Sequence, residues 1–170
     1  MGLRGAVSLG STALGGRGAV WYPWRMPSTT IEELAIRRLV PEAILPTRAH
    51  PDDAGLDLYS LEEQALEPGE GLVARTGIAL AVPAGHVGLV ADRSSLAKRG
   101  LKTAGGIIDA GYRGEIGVVL WNISGKPQLI ARGERIAQLL IIPVATPAVR
   151  ETADLGDTAR GTGGFGSTGR

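Results

Sequence analysis

From about Ile31 onward the chain sustains no helical period. Short apolar segments alternate instead with Pro-Gly, Pro-Ala-Gly, Ser-Gly-Lys-Pro and Arg-Gly-Glu turn signals. Leu34–Val40, Gly71–Val82, Val87–Ala91, Glu115–Asn122, Gln128–Arg132 and Arg135–Ile142 read as strands. Strands at such close spacing build a sandwich or a barrel, so an all-β fold is expected. One short helix is expected at Ser94–Arg99, with Ser94 or Ser95 as its cap. With 170 residues, 44% of them hydrophobic, the chain can bury a single core.

Composition removes several kinds of chemistry. There is no cysteine, which excludes disulfides, thiolate nucleophiles and Cys-bound zinc. The two histidines, His50 and His86, stand alone, so a histidine metal cluster is not expected. Any metal should be a hard, oxygen-liking ion such as Mg²⁺. Eighteen basic against seventeen acidic residues give a formal charge of +1, too little for nucleic-acid binding by bulk charge. No apolar run is long enough to span a membrane, and a cytoplasmic protein is expected. Glycine is the outlier: 26 residues, against roughly 12 at average usage. That excess points to many turns, or to a backbone that approaches a ligand closely.

The chain divides into three expected parts. Residues 1–30 carry Arg4, Arg17 and Arg25 and no acid. They read as an unstructured extension ahead of Met26, which could itself be a start, or alternatively as a transit peptide. Residues 31–150 form the β domain. Residues 151–170 hold little apolar material and read as a mobile arm.

Five segments could carry chemistry, and each also has a plainer reading. Asp109, in Gly105–Glu115, sits beside Tyr112 in a glycine-framed hairpin. It could be a general base next to a stacking surface, or an ordinary turn aspartate. Arg93-Ser94-Ser95 at a helix start suits a phosphate, or is a simple cap. Gly164–Gly169 matches G-x-G-x-x-G, but no strand precedes it, so a dinucleotide fold is excluded. Its amides with Arg160, Ser167 and Thr168 can wrap an anion, and Phe165 can lie on a base; otherwise it is a plain Gly-Ser tail. Asp57 alternates with Leu56 and Leu58, pointing away from both. Gln138, within an apolar strand, needs a hydrogen-bond partner if buried.

Taken together and in order, Ala54–Ser60, Asp92–Ala97, Gly105–Glu115, Gly133–Leu140 and Arg160–Gly169 resemble the five motifs of the trimeric deoxyuridine triphosphatase (dUTP pyrophosphatase) family. The resemblance runs from about Ile31 to the C-terminus. It implies a distorted jelly-roll-like subunit in a homotrimer, with active sites shared between chains, and hydrolysis of dUTP to dUMP and pyrophosphate with Mg²⁺. By this resemblance Asp109 activates water, while Arg93, Ser94, Ser95 and Gln138 position phosphates. Asp57 would hold Mg²⁺ through water, and Tyr112 would pack under the sugar. Backbone groups around Thr103, Ile107, Ile108 and Gly117 would read uracil. Arg160, Phe165, Gly166, Ser167 and Thr168 would close over the nucleotide.

Two positions depart from the family pattern. Asp92 stands where Gly or Pro is more usual, and its charge opposes phosphate binding unless it turns outward. Thr103 occupies a position that varies and includes Asn. The rival enzyme of similar fold, a dCTP deaminase, would need its catalytic Glu where Val119 stands, and valine moves no protons. A catalytically silent nucleotide-binding regulator is the other alternative. Because residues 1–25 carry no motif, a chain begun at Met26 should keep the assembly and turnover of the full chain, measured by light scattering and pyrophosphate release.

Overall fold

A computed structural model describes Ile31 and residues 33–163. Eleven strands and one helix follow in the order β1 (Ile36–Arg38), β2 (Leu56–Tyr59), β3 (Gln64–Leu66), β4 (Gly71–Arg75), β5 (Ile78–Leu80), β6 (His86–Ala91), α1 (Ser94–Lys98), β7 (Leu101–Thr103), β8 (Ile107–Ile108), β9 (Gly117–Asn122), β10 (Gln128–Ile130) and β11 (Arg135–Pro143). They pair antiparallel throughout, in small sheets ordered β2-β11-β6-β8, β4-β9-β7, β1-β5 and β10-β3. The expected all-β architecture with one short helix is what forms.

Alternation along the strands builds the core. Leu56 and Leu58 turn inward while Asp57 and Tyr59 face the other way, as the sequence alternation implied. Leu58, Leu66, Ile78, Leu101, Ile116, Leu120, Ile130, Ile136 and Leu139 are all fully buried. Each such side chain contributes about 1.5–3 kcal/mol of burial.

Several local expectations need correction. The single strand expected over Gly71–Val82 is two, β4 and β5, broken at Thr76-Gly77. Gly77 has φ +69°, a left-handed conformation that a side chain resists, and an added Cβ would stand 2.9 Å from that of Ala43. The break is held by Thr76, whose buried hydroxyl donates to the Ile116 carbonyl at 2.5 Å, and by the Gly77 amide, which donates to Glu115 at 2.8 Å. The strand expected over Leu34–Val40 is only Ile36–Arg38, and that over Gln128–Arg132 stops at Ile130. Strands β3, β7 and β8 were not foreseen; at two or three residues each, they are too short to show a period. The Gly105–Glu115 segment is not a paired hairpin. Its first limb, β8, bonds β6, and the chain beyond its turn enters β9, which bonds β4 and β7.

Neither Ser94 nor Ser95 caps α1. Arg93 is the N-cap residue, with extended φ and ψ and no side-chain cap. Both serine hydroxyls are therefore free of that duty.

Beyond β11 the chain from Val144 to Ala159 has no regular structure and is exposed along its length. Val149 and Leu155 are almost fully open to solvent.

One buried polar side chain pins the β9–β10 connection. Asn122 donates to the carbonyls of Leu66 (3.0 Å) and Lys126 (2.9 Å), and accepts from the amide and hydroxyl of Ser124 (2.9 and 2.6 Å). Asn122→Leu should lower stability by about 3 kcal/mol, because it strands several buried groups at once. Urea unfolding at fixed protein concentration measures the loss.

Candidate functional site

Strand register brings the candidate residues together. In the β2-β11-β6 sheet, Gln138 of β11 lies directly opposite Asp57 on one side and Ala91 on the other. A register shift between Arg135 and Ala137 makes a bulge. It lets the consecutive residues Ile136 and Ala137 both enter the core while Arg135 stays outside beside Asp57. The chain leaving β6 continues through Asp92 to Arg93 at the start of α1. Two strands, β2 and β11, the loop before β2 and the start of α1 thus converge on a cleft of about 320 Å³, lined among others by Asp53, Gly55, Asp57, Arg93, Ser94, Arg135 and Gln138.

The cleft is organised around one carboxylate. Asp57 Oδ1 accepts from Arg93 Nε at 2.7 Å, and its Oδ2 accepts from Arg135 Nη1 at 3.1 Å. Arg93 Nη1 also donates to the Ser95 hydroxyl (3.1 Å) and the Arg135 carbonyl (3.4 Å). Arg93 Nη2 and Arg135 Nε and Nη2 have no partner among the described residues. Two guanidiniums held rigidly by a shared carboxylate, with donors to spare, suit phosphate oxygens. Gln138 meets its expected need for a partner by donating to the backbone carbonyl of Asp92 at 2.8 Å.

The charge of Asp92 does turn away from this cleft. Its Oδ1 accepts from the amide (2.8 Å) and hydroxyl (2.5 Å) of Thr103, and Lys102 binds Oδ2. Burial opposes ionisation, but the bonds from Lys102 and Thr103 outweigh it and hold the carboxyl below its ordinary value of 3.8. The stability it contributes is complete at neutral pH, above the unfolded value. It is lost as pH falls through the lowered folded one.

The remaining candidates lie elsewhere on the chain. Asp109 is exposed, has no side-chain partner among the described residues, and does not line the cleft. It shares a turn with Tyr112, whose amide donates to the Asp109 carbonyl at 3.0 Å and whose hydroxyl donates to Glu115 O at 3.0 Å. Thr103, Ile107, Ile108 and Gly117 also lie outside the cleft lining. Arg160 donates to the Gly163 carbonyl in a local turn, and Phe165, Gly166, Ser167 and Thr168 fall outside the described residues. A second groove of about 340 Å³, between β1 and β5, is mostly apolar and holds only Arg113 from the motifs.

Sequence reasoning missed Arg135, Asp53 and Gly55 as parts of the cleft. Arg135 lay inside the fourth motif, but only the bulge reveals its aim. Asp53 accepts the His50 amide at 2.9 Å, and its carbonyl accepts Arg48 Nε at 2.8 Å, fixing the loop that enters β2.

No group of three or more His, Asp or Glu able to hold a metal stands among the described residues. Both oxygens of Asp57 already face guanidiniums. Among the described residues Asp57 and Asp53 are the carboxylates lining the cleft, a set that fits a hydrated Mg²⁺ held mainly by water and ligand phosphates but not an all-protein cage.

The chain is similar to known proteins in both sequence and fold. A protein-family model described as dUTPase matches residues 41–169. The chain is 49% identical over 140 residues to the deoxyuridine 5'-triphosphate nucleotidohydrolase of Rhodococcus erythropolis, covering 80% of this chain and 85% of that one. It is 52% identical over 138 residues to the protein of the same name from Thermobifida fusca, covering 79% and 77%. A mutant dUTPase of Staphylococcus bacteriophage 80alpha, solved with dUpNHpp, superposes with a TM-score of 0.75 at 32% identity, covering 82% of this chain and 99% of that one. A mutant dUTPase of the S. aureus phage phi11, solved for the coordination of a structural Mg(II) ion, gives 0.68 at 31%, covering 72% and 98%.

Gly55 tests the cleft without touching a charged group. A Cβ there would stand 2.3 Å from Gln138 Oε1. Gly55→Ala should therefore push the Gln138 amide off the Asp92 carbonyl and weaken binding of inorganic pyrophosphate several-fold, with the fold retained. Calorimetry and circular dichroism read the two effects.

Proposed function

The chain belongs to the dUTPase family, and from that premise we propose that it hydrolyses dUTP to dUMP and pyrophosphate, keeping uracil out of DNA and supplying dUMP for thymidylate synthesis. The observation that carries this reading for the chain's own residues is the Arg93–Asp57–Arg135 arrangement beside Ser94 and Gln138. It is a preformed receptor for phosphate oxygens at a helix start, the part of phosphoryl transfer that depends most on positioning.

Arg93, Ser94, Ser95 and Gln138 hold the α- and β-phosphates. Asp57 orients both arginines and would hold a hydrated Mg²⁺ through water, an ion that would offset the phosphate charge. Asp109 takes a proton from water as the water oxygen bonds the α-phosphorus and the bond to the bridging oxygen breaks, releasing pyrophosphate. Tyr112, its hydroxyl fixed on Glu115, packs under the sugar and leaves no room for a 2′-hydroxyl. The backbone around Thr103, Ile107, Ile108 and Gly117 reads the uracil edge. Arg160, Gly166, Ser167 and Thr168 close on the γ-phosphate and Phe165 covers the base.

The working form in this reading is a homotrimer in the cytoplasm, with each site assembled from three chains. Two features support it. Asp109 stands apart from the cleft of its own chain, and apolar side chains near it or on the β4-β9-β7 sheet, notably Ile107 (63% exposed) and Val73 (60%), are open. Neither nucleic acid nor membrane is needed, and among the described residues no helix is long and apolar enough to cross a bilayer.

Asp109→Asn keeps the shape of the turn and removes the base. Pyrophosphate release from dUTP should fall by roughly 10²–10⁴, with nucleotide affinity little changed. Near-normal turnover would remove Asp109 from the mechanism.

A further inference from the structure

We propose that Asp92 sets the base selectivity of the site by fixing the hydroxyl of Thr103 as a pure hydrogen-bond acceptor toward the uracil N3–H. This rests on the reading above, which places the backbone around Thr103 at the uracil edge, and extends that reading to the Thr103 side chain.

A threonine hydroxyl carries one proton and two lone pairs, and normally rotates to suit its neighbour. At Thr103 that freedom is gone. The hydroxyl lies 2.5 Å from Asp92 Oδ1, an oxygen that also accepts the Thr103 amide at 2.8 Å. An ionised carboxylate only accepts, so the hydroxyl proton must point at Asp92. Lys102 on the other oxygen keeps the carboxylate charged, and the bonds from Lys102 and Thr103 hold its pKa below the ordinary carboxyl value. Only lone pairs remain for a ligand.

In a uracil nucleotide the base edge presents two carbonyl oxygens and one donor, N3–H. An acceptor-only hydroxyl can bond nothing on that edge except N3–H. Cytosine bears a lone pair at N3, so the same hydroxyl meets it lone pair to lone pair. Thymine keeps N3–H and is not distinguished at this atom. Asp92 is thus a positioning residue with a double hold: its carboxylate orients Thr103, and its backbone carbonyl receives the Gln138 amide at 2.8 Å. A charge that would oppose phosphate binding is turned to reading the base.

The test uses the full chain, with dUTP as substrate and dCTP and dTTP as competing inhibitors. Asp92→Ala frees the hydroxyl to donate, so preference for dUTP over dCTP should fall about tenfold, roughly the worth of one hydrogen bond. Preference for dUTP over dTTP should stay unchanged. Asp92→Asn, which still offers an oxygen to Thr103, should restore most of the first ratio. Should Asp92→Ala not fold, Thr103→Val reads the same dUTP-to-dCTP ratio with Asp92 in place, and should lower it similarly. The proposal is overturned if both ratios fall together, as general loosening would cause, or if neither moves. It is also overturned if Thr103→Val lowers the ratio while Asp92→Ala does not. A wild-type chain that releases no pyrophosphate from dUTP would instead defeat the assigned function; wild-type turnover with selectivity indifferent to Asp92 defeats this inference alone.

Discussion

The site depends on one alignment: Gln138 sits across from Asp57 in one neighbour and Ala91 in the other. Side chains alternate along a strand, so a slip of one residue in either pairing would exchange core and cleft faces. Leu58 and Leu139, both fully buried, resist that slip, because it would bring them into water. The hydrophobic core therefore fixes the position of the polar cleft. Where strict alternation would turn Arg135 the wrong way, the bulge restores its aim and still buries Ile136.

Electrostatics within that frame divides the labour between two aspartates on either side of β11. Asp57 gathers two arginines at the cleft, whereas Asp92 sends its charge to Lys102 and Thr103. Both carboxylates are largely screened from solvent by the groups they bind, so each acts more as a geometric anchor than as a free charge.

Much of this was legible in the sequence because it depended on local pattern. The Leu56-Asp57-Leu58 alternation gave the correct facing of Asp57, and the turn-punctuated apolar segments gave the β class. The need of Gln138 for a partner was also visible, though the partner itself was not. What escaped notice depended on contacts distant in the chain. Thr76-Gly77 looks like the middle of a strand until Ala43 and Glu115, far away in sequence, close on it. Ser94 and Ser95 look like caps, but the residue preceding them takes the cap position. Arg135 resembled any strand-edge charge, because a bulge leaves no mark in a single sequence. The turn of Asp109 was seen correctly, but its limbs were wrongly paired with each other: local glycine spacing says nothing of which distant strand each limb will meet.

The exposed stretch from Val144 to Ala159 has a kinetic meaning. Extended at roughly 3.3 Å per residue, it can reach about 50 Å, more than the width of a domain of this size. A segment on such a leash is presented to any site within reach at an effective concentration near the millimolar range. On the proposed function, a segment beyond it with only feeble intrinsic affinity for a nucleotide would suffice as a cover. Weak grip also means quick release, so a tether of this kind lets a cover be both dependable and fast to reopen.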